Sequence, residues 1–150
     1  MPILFTIGRV AFVLIFIVSG ALQLMDISGT AAVIASKLAI PAFAADAVKQ
    51  IEATAKLPFA QILAIIVGGV QVLAGLLIAF NIATRFASVL LILFALAATY
   101  YFHDFWNMTG AAATEATNHA LKNLSLIGAL LVFFVLGSWR PVAVEAEERY

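Results

Sequence analysis

Hydrophobic residues in this chain gather into long runs, and polar residues are confined to the segments between them. The runs are Phe5 to Leu24, Phe59 to Phe80, about Arg85 to Phe102, and about Leu121 to Trp139. A bilayer core about 30 Å thick needs roughly 20 helical residues at about 1.5 Å each. All four runs come close to that length. Lipid cannot hydrogen-bond an open backbone, so each run is predicted to be helical. The pattern predicts an all-α fold: a membrane four-helix bundle, one domain over residues 1–150. The first run is long for the core of a signal peptide, and no clean small-x-small site follows it. It is expected to be retained as a span.

The connections differ in length. Asn81 to Thr84 reads as a tight turn, which makes spans two and three a helical hairpin. Met25 to Pro58 is long enough for two short helices. Ser28-Gly29-Thr30 offers an N-cap for Ala31 to Ile40, which Pro41 stops. Phe43 to Lys56 sets Val48 and Ile51 against Lys49, Glu52 and Lys56, with Glu52 and Lys56 in the favourable i,i+4 order. Both pieces read as interfacial helices. Residues 141–150 form a polar, acidic tail.

Composition agrees with placement in lipid. Of the 150 residues, 65% are hydrophobic and 11% charged, where a soluble domain carries about 25% charged residues. The formal net charge is zero, which argues against a nucleic-acid partner. There is no cysteine, so disulfides, thiolate metal sites and iron–sulfur clusters are excluded. The basic residues divide evenly. Arg9, Arg85, Arg140 and Arg149 fall on the side of the termini, and Lys37, Lys49, Lys56 and Lys122 on the other. The arginines lie in very short segments, where the positive-inside rule acts most strongly, while acidic residues offset the loop lysines. Both termini are therefore expected in the cytoplasm.

Close helix contact in lipid needs small residues. Ala60, Ala64, Gly68 and Gly75 supply such a face on span two, and Ser125, Gly128 and Ala129 on span four. Span one carries a polar stripe, with Arg9 and Gln23 on one face near opposite ends. That stripe is expected to look into the bundle.

Polar residues near the membrane are the candidates for chemistry. Arg9 reads either as a cation snorkelling to headgroups or as a buried partner of a carboxylate, a quinone oxygen or another subunit. His103-Asp104-Phe105-Trp106-Asn107 ends span three. Its aromatics suit an interfacial belt with Tyr100 and Tyr101, and His103 with Asp104 suits proton handling. Glu115, Asn118, His119, Lys122 and Asn123 lie across the same loop. One polar cluster drawing on Gln23, Asp26, His103, Asp104, Asn107, Lys122 and Asn123 is expected on the lysine-bearing side. His103 and His119 are weak metal candidates; their spacing fits no established pattern, and no haem or metal is expected. No acidic residue lies in the middle of a span, which weakens a proton-coupled transporter.

Several fragments, taken in order, resemble the DoxX family of small four-span bacterial membrane proteins. They are Arg9 followed by Ser19-Gly20; Gly29-Thr30-Ala31-Ala32 through Pro41; Gly68-Gly69, Gly75 and Thr84-Arg85; Phe102-His103-Asp104-Phe105-Trp106; and Leu121-Lys122-Asn123-Leu124-Ser125-Leu126-Ile127-Gly128. Two departures stand out. Gln23 replaces a lysine common in the family, and Ile65 and Ile66 occupy the place of a glutamate. The resemblance implies a bacterial inner-membrane protein linked to membrane redox systems. The expected role is a non-catalytic accessory subunit of a quinone-linked or other membrane redox complex. It would bind a quinone or a partner through Arg9, Gln23, Asp26, His103, Asp104, Trp106, Asn107, Lys122 and Asn123, and associate with other subunits or with itself. A small-molecule carrier or channel and a cofactor-dependent oxidoreductase are the alternatives.

Overall fold

The computed structural model describes residues 3–137, all of whose regular structure is helical. Among the described residues, four helices are long and apolar enough to cross a membrane. They are α1 (Ile3–Met25), α4 (Phe59–Ala79), α5 (Thr84–Phe102) and α6 (Gly110–Leu136). Two shorter helices, α2 (Ile27–Lys37) and α3 (Ala45–Ala55), fill the first connection.

The bundle closes around side chains from all four long helices. Val13 and Phe16 of α1, Ala74 and Ile78 of α4, Ala87 and Leu91 of α5, and Leu130 of α6 form one buried cluster. It lies in the half nearer the termini. In the other half, Ala31 and Ile34 of α2 pack on Ala64 of α4, with Phe102 alongside. The helix α2 is thus held against α4 rather than lying free on the bilayer.

The α1–α4 contact is the closest. A Cβ on Gly20 would stand 2.6 Å from the carbonyl oxygen of Gly68, and one on Gly75 would stand 2.7 Å from Ile17. Only glycine lets the two backbones approach so nearly, as small-residue packing in lipid requires. Of the predicted face, Ala64, Gly68 and Gly75 are buried here and Ala60 is half-buried.

The turn Asn81 to Ala83 takes positive φ at both of those residues, and the Thr84 hydroxyl donates to Asn81 Oδ1 at 3.2 Å as α5 starts. Lys56 has φ 55 and ends α3 before Pro58 opens α4.

Four expectations need correction. The fourth helix starts at Gly110, not near Leu121. Residues 111–120 are too polar to read as a span, but alanine is the strongest helix former and fills the first turns. The end expected at Trp139, and the tail 141–150, lie outside the described residues. On the expected face Ser125, Gly128 and Ala129, only Ala129 is half-buried; Ser125 and Gly128 are exposed, and an added Cβ on Gly128 would meet nothing within 4 Å. The helix α2 begins at Ile27 because Asp26 caps it, accepting from the Gly29 amide at 2.9 Å; it stops at Lys37, short of Pro41. Glu52 does not serve Lys56. Its carboxylate accepts from the Phe59 amide at 2.7 Å, tying α3 to the start of α4, and the ion pair on α3 is the exposed Asp46–Lys49 at 3.7 Å.

Candidate functional site

The expected single polar cluster is divided into separate pairs. Helical geometry explains this. Neighbouring residues on a helix point about 100° apart, so Lys122 and Asn123 cannot both face α5. Asn123 does so, donating to Thr99 Oγ1 at 2.9 Å, while Lys122 is exposed. The Thr99 hydroxyl in turn donates to the Ala95 carbonyl at 2.8 Å.

Gln23 turns to α4 instead of toward α5. Gln71, only 1% exposed, donates from Nε2 to Gln23 Oε1 at 2.8 Å. The Gln23 carbonyl accepts from Thr30 Oγ1 at 3.2 Å, which joins α1, α2 and α4 at one point. Asp26 is occupied as the cap of α2. These three side chains do structural tasks at different places.

His103 and His119 do meet. Their rings stack at 4.7 Å between centroids with planes 4° apart. His103 follows the last residue of α5, and His119 sits in the third turn of α6. Parallel stacking leaves the ring nitrogens in separate planes instead of converging on one point. Partial burial, with His119 and Lys37 nearby, lowers the His103 imidazole from its ordinary pKa. Among the described residues no three histidine or acidic side chains gather closely enough to hold a metal ion. Asp104 is half-buried, and its Oδ1 has no hydrogen-bond partner. Asn107 and Glu115 are exposed.

Beside these residues runs a groove between α5 and α6 of about 240 Å³. Leu96, Leu124 and Ile127 form its apolar length, and Thr99, Tyr100 and Trp106 its loop-side end. Tyr100 and Trp106 approach at 6.0 Å between ring centroids, and Phe105 stands 5.1 Å from Trp106. The groove is thus apolar at membrane depth and amphipathic at the surface, as belt aromatics are.

Arg9 lies far from this side. It is 7% exposed, beside a second groove of about 470 Å³ lined by Leu4, Phe5, Gly8, Arg9 and Phe133. Its Nε and Nη1 are buried, so it is not the fully exposed cation of the snorkelling reading.

Two buried polar residues carried no weight in the expected cluster. Gln71 shares a face with Gly68 and Gly75, and that spacing on a small-residue face was its signal. Ser88 is fully buried with its hydroxyl unpartnered, and its sequence neighbours give no sign of this.

The sequence model of the family described as DoxX matches residues 4–104. The inner membrane protein YphA of Escherichia coli (strain K12) is 32% identical over 148 residues, covering 99% of this chain and 91% of that protein. No solved structure matches.

Proposed function

This chain belongs to the DoxX family and is a multi-pass inner-membrane protein, and on that premise we propose that it is a non-catalytic accessory subunit of a quinone-linked or other membrane redox complex. The observation that carries the proposal is the α5–α6 groove. Its apolar length suits a quinone tail or the apolar side chains of a partner helix. At its mouth stand the indole of Trp106 and the phenol of Tyr100, each able to donate a hydrogen bond to a quinone or a partner group. Of the polar groups behind it, the Thr99 hydroxyl is already engaged, accepting from Asn123 and donating to the Ala95 carbonyl. Such a site binds and orients. Electron transfer would then fall to another subunit or to a bound cofactor. The exposed face of α6, with Ser125 and Gly128 beside Leu124, allows a partner helix close approach. The termini would lie in the cytoplasm and the groove mouth on the opposite surface.

The test is gentle solubilisation of native membranes, followed by affinity purification, identification of co-purifying chains and extraction of bound quinone. Recovery with a membrane oxidoreductase is expected, and a chain carrying Trp106→Ala should lose either the partner or the quinone. A protein that purifies alone, holds no quinone and leaves respiration unchanged on deletion would overturn the proposal.

A further inference from the structure

Arg9 presents an unbalanced charge. It is 7% exposed, and its Nε and Nη1 are buried with no hydrogen-bond partner. Its compensation within the described residues is the face of Phe5, 5.6 Å from the guanidinium carbon. A cation–π contact offsets only part of the cost of burying a cation. An anion is needed, and the surroundings say which kind. Helical side chains lean toward the N-terminus, so Arg9 reaches from its backbone toward the surface on the terminal side. Val13, one turn deeper, packs in the same cluster as Ile78, in the last turn of α4. Arg9 is therefore near the level of the α4–α5 turn, where lipid phosphates lie.

Beside Arg9, the groove between α1 and α6 is walled by Leu4, Phe5 and Phe133, with ring centroids of Phe5 and Phe133 6.2 Å apart. Its floor is open at Gly8, where an added Cβ would meet nothing within 4 Å. An apolar trough ending at a buried cation fits a molecule with an acyl chain and an anionic head.

We propose that Arg9 and this groove form a binding site for one anionic phospholipid. The phosphate accepts from the Arg9 guanidinium, and an acyl chain lies along Leu4, Gly8 and Phe133. Guanidinium and phosphate match in geometry as well as charge. The site is independent of the α5–α6 groove and of any redox partner.

The experiment is native mass spectrometry of the delipidated, detergent-purified full chain, titrated with phosphatidylglycerol, phosphatidylcholine or inorganic phosphate. One phosphatidylglycerol should bind the wild type about tenfold more tightly than phosphatidylcholine does. Arg9→Gln should remove that preference, and Arg9→Lys should keep part of it. Gly8→Leu sends a side chain into the trough from its open floor, where the added Cβ meets nothing within 4 Å. It should weaken phosphatidylglycerol binding while the lipid-free thermal midpoint stays unchanged, so lost binding cannot be lost folding. Equal binding of the two lipids, or Arg9→Gln and Gly8→Leu binding like the wild type, would overturn the proposal. Displacement by inorganic phosphate with Gly8→Leu unaffected would mark a free-anion site and overturn it too. So would binding that appears only after Glu145, Glu147 and Glu148 are changed to glutamine, because Arg9 would then belong to the chain's own acidic segment.

Discussion

Replacing Gly20 by alanine adds a methyl group where α1 and α4 come closest. That carbon would stand 2.6 Å from the Gly68 carbonyl oxygen, 2.8 Å from Gln71 Cβ and 3.0 Å from Val72 Cγ2. The first two atoms are backbone or fixed to it, so the helices must part. Overpacking of this kind costs about 1–3 kcal/mol. Separation also stretches the Gln71–Gln23 bond, and an interhelical bond in a membrane is worth about 0.6 kcal/mol, at most about 1.7. Alanine returns about 0.5–1 kcal/mol of helix propensity. The net loss is about 1–4 kcal/mol. Gly8 and Gly69 are the controls, because an added Cβ at either meets nothing within 4 Å. Gly8→Ala lies in the same helix as Gly20, and Gly69→Ala lies next to Gly68. Both should be neutral or slightly stabilising. Unfolding in mixed micelles of sodium dodecyl sulfate and a mild detergent, followed by circular dichroism, measures all three. The reasoning fails if Gly20→Ala is as stable as wild type, or if Gly69→Ala falls as far as Gly20→Ala.

Gln71→Leu removes the donor to Gln23 and should cost about 0.6–1.7 kcal/mol in the same assay; the double variant with Gln23→Leu should cost less than the sum of the two single changes, and strict additivity would count against the bond. Asp26→Ala should weaken the start of α2 by about 1 kcal/mol, read as faster amide exchange across Ile27–Lys37 with α5 unchanged. Glu52→Ala should free α3 from the start of α4, raising exchange at the Phe59 amide with little change in bundle stability; unchanged exchange at Phe59 would refute the role assigned to Glu52.

Much of the fold was legible in the sequence because lipid imposes one simple rule. Runs of apolar residues near 20 long must be helices, and the ends of α1, α4 and α5 fall within a few residues of the apolar runs. The start of α6 escaped because Ala111 to Ala120 is helix-forming without being apolar. The small-residue face of α4 was readable since Ala64, Gly68 and Gly75 share a stripe. The comparable stripe on α6 misled, because a face suited to close packing does not say whether its partner lies in the same chain. Side-chain direction within the polar cluster was not legible in the sequence. Sequence placed Gln23, His103, Lys122 and Asn123 at one surface, but only helix rotation decides which neighbours they meet. Gln23 faces Gln71, Asn123 faces Thr99, and Lys122 faces outward. His103 and His119 flank one loop in the sequence, but nothing in it indicated that their rings stack.

The most direct measurement of the proposed role is site-specific photo-crosslinking in native membranes. One chain carries the photoreactive residue at Leu124, in the wall of the α5–α6 groove, and another at Leu73 on α4; the two leucines are 62% and 65% exposed. The account predicts a discrete adduct with a protein subunit or a quinone at position 124, and lipid adducts alone at position 73. Identical lipid adducts at both positions would contradict it.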